Sequence, residues 1–495
     1  MASDPSESMM RTIAQFPFKV ARGRAKFLVD LGMLIGGQVT SKAIGLLAFA
    51  YLARALDAKS YGEVEFVVGL AGLFGMVVDL GLTTIGVRRA AAAPEKRGEL
   101  ATQVFILRFG VAVLCALVMI AGVNIFGGSP ALHGLVTLYA LSLLFGAFYQ
   151  EWLLQSAGLM AQIALAQILR MLIFFAAILL LVRGVDNTVL VGLCEIAGIV
   201  LAAAFALFVQ MRKIAPVRLW TRFEDASLLR EALPVALATM IWSAAQYAPL
   251  FLMGSMVGGA AVGFFAGASR LAASIAQFSF VYHFNLYATA SRVARQSAEA
   301  LNDLMRSSFR ATAWTTIGGA FSVSIAARPI MALVFGPGFE VAATSLAVLI
   351  WTVPSMFLAG HTRWSLILAH SEKDVFRSQV VGLSTVIVLG LVLVPRYAEL
   401  GAAITALGGN IGVWVSSYTL ARYREVETPS IVISARPLAL AGALALCTML
   451  VTMPAWAEAV IALTLYAVLA PVVDRPLVKE VLHLARAGHS DQVGK

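Results

Sequence analysis

The chain has 495 residues, 60% hydrophobic and 13% charged, with a mean hydropathy of +0.85 and a formal net charge of +10 at pH 7. A soluble globular protein does not carry that balance. The basic excess does not indicate nucleic acid either, because Lys and Arg gather at the ends of long apolar runs rather than in one patch.

Taken in order, residues 1–27 form a polar, basic tail with Arg11, Lys19, Arg22, Arg24 and Lys26. No apolar h-region precedes Phe27, so no cleavable signal is expected. Met9 to Lys26 reads either as a basic helix on the membrane surface or as a disordered tail. Beyond it, repeated apolar runs predict an all-α, polytopic integral membrane protein of about fourteen helices. They are expected near 28–53, 63–87, 101–125, 131–153, 158–182, 188–211, 231–256, 261–284, 309–335, 341–362, 376–395, 400–421, 435–454 and 456–474. Runs of about 20 residues, rising 1.5 Å each, match a hydrocarbon core of about 30 Å. The longest interior connections are expected at 212–230, 285–308 and 363–375.

Charge orients the chain. With the N-terminus in the cytoplasm, only Arg54, Lys59, Arg183, Arg328 and Arg396 of the 37 Lys and Arg fall at the opposite ends of the helices. An even helix count returns the C-terminal tail, 475–495, to the cytoplasm. The three cysteines, Cys115, Cys194 and Cys447, lie inside apolar runs and show no metal or disulfide spacing.

A weak internal repeat recurs at an offset of about 200 residues. Tyr51-Leu52 corresponds to Phe251-Leu252, and Tyr61-Gly62 to Val262-Gly263. An offset of six helices preserves orientation, so the repeats relate by a pseudo-two-fold along the membrane normal. The expected layout is an N-lobe at 28–211, a basic cytoplasmic linker at 212–230, a C-lobe at 231–421 and two further helices within 435–474.

Four cations fall inside predicted spans: Lys42, Arg108, Arg170 and Arg270. Each costs about 2.5–3.5 kcal/mol if it faces lipid at mid-span, so a water-filled, anion-receiving cavity is the economical placement. Polar residues at helical spacing accompany them. Gln38, Ser41, Lys42 and Gly45 form one stripe, Gln167 and Arg170 another, and Arg270, Ser274 and Gln277 a third. Trp242, Ser243, Gln246 and Tyr247 cluster on the seventh helix. These stripes read as cavity lining or as polar glue between helices. Glu195 reads as a proton or sodium coupling site or as a static partner of Arg170. Asp79, at the cytoplasmic end of the second helix, is a further coupling candidate or a structural group. Pro234, Pro249 and Pro354 permit helix bending. No HExxH, Walker or GxSxG pattern occurs, so no metal, nucleotide cofactor or catalytic role is expected.

Ala53-Arg54, Leu56 and Tyr61-Gly62, followed by Asp79-Leu80-Gly81-Leu82 and Arg88, resemble the opening of the oligosaccharide and polysaccharide flippase family. That family belongs to the multidrug, oligosaccharidyl-lipid and polysaccharide export superfamily. The resemblance implies a two-lobed transporter in the bacterial cytoplasmic membrane, flipping polyprenyl-pyrophosphate-linked oligosaccharide by alternating access for surface polysaccharide or lipopolysaccharide synthesis. It implies contact with membrane lipids and with the polymerase and export machinery. Lys42, Arg108, Arg170 and Arg270 would then hold the pyrophosphate. Gln38, Trp242, Ser243, Gln246, Tyr247, Ser274 and Gln277 would hold the sugars, through hydroxyl partners and aromatic faces. The alternatives are a small-molecule exporter of the multidrug and toxin extrusion type or a membrane-embedded polymerase or glycosyltransferase. Embedded cations disfavour a cationic-drug pump, and the absence of a sizeable outer loop disfavours the enzymes.

Overall fold

The computed structural model describes residues 32–216, 227–295, 297–450, 453–477 and 480. The segment Met9 to Lys26, most of the linker 212–230 and nearly all of the C-terminal tail lie outside the described residues. The apolar runs become helices α1 (Gly32–Ala55), α2 (Ala58–Asp79), α3 (Leu82–Ala92), α4 (Arg97–Phe126), α5 (Pro130–Gly146), α6 (Glu151–Ser156), α7 (Met160–Leu181) and α8 (Leu190–Lys213). They continue with α9 (Ser227–Met256), α10 (Gly259–Ala276), α11 (Phe278–Val293), α12 (Ala298–Ile325), α13 (Ala327–Phe335), α14 (Ala343–Leu349), α15 (Thr352–Leu368), α16 (Glu372–Tyr423), α17 (Ala435–Thr448) and α18 (Ala455–Val473).

Local chemistry sets the breaks. Ser129 caps α5 by accepting from the Leu132 N–H at 3.0 Å, and Pro130 takes the first helical position, where no N–H is needed. Between α2 and α3 the chain turns through Leu80 (φ 48°) and Gly81 (φ 71°). Gly81 is also a point of close approach: a Cβ there would lie 2.7 Å from the Ala232 carbonyl oxygen on α9. The Asp79-Leu80-Gly81-Leu82 motif is thus a helix break held against another helix.

Among the described residues, twelve helical segments are long and apolar enough to cross a membrane, or thirteen when the bent pair α12–α13 counts as one span. The expected fourteen is not reached by that count. The ninth expected span, 309–335, is bent by 74° between α12 and α13. The eleventh and twelfth are one 52-residue element, α16, with a non-helical residue at Ala398 just after Pro395. At that break α16 folds back on itself. Gly382 faces Val413, Gly409 faces Val386, and Gly412 faces Thr385, an antiparallel hairpin closed by small residues. Two connections expected to be loops are largely helical: α11 and α12 extend through most of 285–308, and α15 continues to Leu368.

The chain packs as two compact units. The first comprises Met1–Ala48, Phe74–Leu181 and Val189–Ala236; the second comprises Phe49–Leu73, Val182–Thr188 and Leu237–Lys495. In the first, Leu82, Ile85, Val104, Trp152 and Leu228 form a buried cluster. In the second, Phe309, Trp314 and Phe321 of α12 pack on Leu444 of α17 and Tyr466 of α18. Leu114, Leu117, Leu180 and Val468 are exposed, as expected of helix faces whose solvent is lipid.

Candidate functional site

In the first unit the opening stripe is split. Gly37 packs against Ala164, the Ser41 hydroxyl donates to the Gln167 carbonyl at 3.1 Å, and Gly45 meets the Met171 sulfur at 3.6 Å. These three small residues, four apart, seat α1 on α7 as a small-xxx-small contact. Gln38 is half-buried, and Lys42 is exposed, with no hydrogen bond or ion pair among the described residues. The other two in-span cations of this unit are matched by carboxylates. Arg108 is buried and donates to Asp79 and, at 2.6 Å, to the Thr83 hydroxyl. Thr83 in turn donates to Asp79 at 2.6 Å. Arg170 donates to Glu195.

In the second unit Arg270 of α10 forms a bidentate pair with Glu65 of α2, Nε to Oε1 and Nη2 to Oε2, both at 2.6 Å. The Tyr61 hydroxyl donates to the same carboxylate at 2.6 Å. The Phe49 ring lies 3.4 Å from the guanidinium carbon. Glu65 is 5% exposed, although the sequence places it at the outer end of its helix. The crossing beside it is tight: a Cβ on Gly62 would lie 2.7 Å from the Gly263 nitrogen. These are the two glycines that the sequence repeat equates.

The second unit also contains a cavity of about 130 Å³ between α9, α11, α15 and both arms of α16. Trp242 and Gln246 line it, as do Phe280, Arg363, Trp364, Gln379 and Asn410. The glycines that close the α16 hairpin leave this space, and Gly360, Arg363 and Trp364, at i, i+3 and i+4, present one face of α15 to it. Of the other residues expected to touch sugar, Ser243 is fully buried and its hydroxyl is unpartnered among the described residues. Tyr247 is half-buried beside Phe251, with ring centroids 6.2 Å apart. Ser274 donates back to the Arg270 carbonyl at 2.7 Å, and Gln277 is exposed at the junction of α10 and α11. Trp242 and Gln246 therefore share one cavity. The four in-span cations divide between the units, Lys42, Arg108 and Arg170 in the first and Arg270 in the second.

One wall of the cavity is a buried polar chain absent from the sequence reading. His283 Nδ1 lies 2.7 Å from the Ser279 carbonyl, and His361 Nδ1 lies 3.0 Å from the Phe357 carbonyl. Carbonyls only accept, so each Nδ1 carries the proton. The single His361 Nδ1–H is shared with His283 Nε2 at 3.3 Å, and His361 Nε2 accepts from the Ser308 hydroxyl at 2.8 Å. Tyr282 completes the chain by donating to Ser308 at 2.6 Å. The arrangement is satisfied by two neutral imidazoles and ties α11, α12 and α15 together. Among the described residues, no group of three or more His, Cys, Asp or Glu is placed to hold a metal ion.

Long apolar helices with ion-paired arginines among them define a polytopic membrane protein, and its fold is shared with solved transporters. The chain is similar to "Lipid II flippase MurJ, inward closed conformation" (TM-score 0.71, 12% identity, covering 90% of this chain and 99% of that one). It is also similar to a multidrug resistance MATE family transporter of the MOP superfamily in its inward-facing conformation (TM-score 0.61, 14% identity, 80% and 97%). A third similarity is to MATE in complex with MaL6 (TM-score 0.54, 14% identity, 81% and 95%). No curated protein matches the sequence. Residues 27–285, more than half of the chain, match the family described as polysaccharide biosynthesis protein, and the chain belongs to that family.

Proposed function

We propose that the chain is a transporter that flips polyprenyl-pyrophosphate-linked oligosaccharide across the bacterial cytoplasmic membrane, serving cell-surface polysaccharide synthesis. The observation that carries this reading is Lys42, an exposed cation near the middle of α1 that is unpaired among the described residues. It lies about ten residues, or about 15 Å, from the nearer helix end, too far for its side chain to reach an interface. A position facing lipid is costly. A position facing water suits an anionic cargo, and membership of a polysaccharide biosynthesis family makes the pyrophosphate of a lipid-linked sugar the fitting anion.

The arginines refine the picture. The side chains of Arg170 and Arg270 are 34% and 24% exposed beside their carboxylates, whereas that of Arg108 is 8% exposed. Arg170 and Arg270 thus retain a face for cargo, and Arg108 belongs to the α2–α3 break. In this reading two lobes related along the membrane normal open alternately to either side, and both termini are cytoplasmic. The Gly62–Gly263 contact supports the repeat, since equated residues meet where such an axis would pass. The fold shared with MATE transporters admits a small-molecule exporter. Against a cationic-drug pump, Glu65, Asp79 and Glu195 are each engaged by an arginine.

The test is mass spectrometry of lipid-linked sugars in a strain lacking the chain. Accumulation of a complete repeat unit on its lipid carrier, reversed by the wild-type chain and not by Lys42→Ala, is expected. Intact surface polysaccharide with no accumulated intermediate would overturn the reading.

A further inference from the structure

Among the residues lining the cavity between α9, α11, α15 and α16 there is one cation, Arg363, and no carboxylate. Arg363 makes no ion pair or hydrogen bond among the described residues, and its Nε is buried without a partner. Arg108, Arg170, Arg270 and Arg310 differ in having a counter-charge, since each meets an Asp or Glu. A half-buried guanidinium at a cavity, with five donors and no acceptor among the described residues, is arranged for an anion from elsewhere. The absence of acids from the lining also makes the cavity unsuited to a metal or ammonium ion.

The remaining lining describes the rest of that ligand. Trp242, Phe280 and Trp364 offer apolar ring surface, and Gln246, Gln379 and Asn410 offer amides. Asn410 donates through Nδ2 to the Ala406 carbonyl at 2.9 Å, which leaves its Oδ1 to accept. Rings that cover C–H faces and amides that bond hydroxyls suit a pyranose. The volume is of the right order: about 130 Å³, at about 10–15 Å³ per water, holds about ten water-sized groups, the scale of one sugar ring.

We propose that this cavity is a subsite for one anionic sugar residue of the cargo. Arg363 takes the carboxylate or phosphate ester and thereby selects acidic over neutral repeat units. The proposal rests on the transporter reading and names the chemical class of its sugar.

The test uses the full-length chain in lipid nanodiscs and saturation-transfer NMR with p-nitrophenyl β-D-glucuronide, p-nitrophenyl β-D-glucoside and glucose 6-phosphate. The two acidic probes are expected to bind about tenfold more tightly than the glucoside. In Arg363→Gln that preference should vanish, with the glucoside unaffected. Arg363→Lys should keep part of it, since a point charge replaces a planar fork. Trp242→Ala should weaken all three probes together. Equal binding of acidic and neutral probes by the wild-type chain would overturn the proposal. So would a preference that survives in a folded Arg363→Gln. The strain test above reads the transporter function separately: accumulated lipid-linked sugar with no acid preference sinks the subsite alone, and acid preference without accumulation sinks the transporter reading.

Discussion

Arg310 and Arg363 lie on neighbouring helices of one unit, α12 and α15, in opposite surroundings. The side chain of Arg310 is 5% exposed and reaches Asp474 at 2.6 Å and Glu480 at 2.8 Å. Asp474, fully buried, also accepts from Arg436 at 2.8 Å and from Trp314 Nε1 at 2.9 Å. That cluster fastens the C-terminal helices to α12 and neutralises the carboxylate within the chain. Arg363 faces a cavity in which, among the described residues, no carboxylate meets it. The difference teaches that an arginine within a span is not a functional signal by itself; what separates a fastening from a binding group is whether the chain supplies the counter-charge.

The largest effect should come from Asp474→Ala, which strands Arg310 inside the bundle. A loss of about 3–5 kcal/mol is expected, read as a lower melting temperature in detergent. An unchanged melt would show that Glu480 alone suffices for Arg310 and would erase the contrast. Arg270→Ala should cost less, about 2–3 kcal/mol, because the Glu65 it strands keeps the Tyr61 hydroxyl. The double variant Arg270→Gln with Glu65→Gln should recover most of that loss, and a double variant no better than the single would argue against coupling. Lys42→Ala should be the mildest, within about 1 kcal/mol of wild type, since no partner is stranded. A melting shift as large as that of Asp474→Ala would place Lys42 among the fastenings.

The sequence made the class and most spans readable because a helix in lipid must be apolar over its whole length, and that pattern needs no partner to be seen. It was weaker where the bundle satisfies a charge. Expecting α15 to end near His361-Thr362-Arg363 treats polarity as a boundary. The helix runs on to Leu368 because those residues face a polar chain and a cavity instead of lipid. The partner of Arg270 lies 205 residues away on α2, and no spacing rule within one helix reaches it. The nearer pair, Arg170 and Glu195, is 25 residues apart, close enough for the sequence to suggest it, and the structure joins them. His283 and His361 stand 78 residues apart in the sequence, and only folding brings their rings to 4.8 Å, centroid to centroid.

The hairpin of α16 bears on how such a chain is made. Its arms are joined through Pro395 and Ala398 and meet through glycines close in sequence, Gly382 with Val413 and Gly390 with Thr405. Contacts that local close with little loop entropy, so the two arms can pair as soon as both have left the insertion machinery. Much of the wall that Gln379 and Asn410 contribute would then exist before synthesis reaches α17 and α18. Assembly of the cavity would consist of docking a preformed pair against α9 and α15, with the late helices sealing the far side of α12.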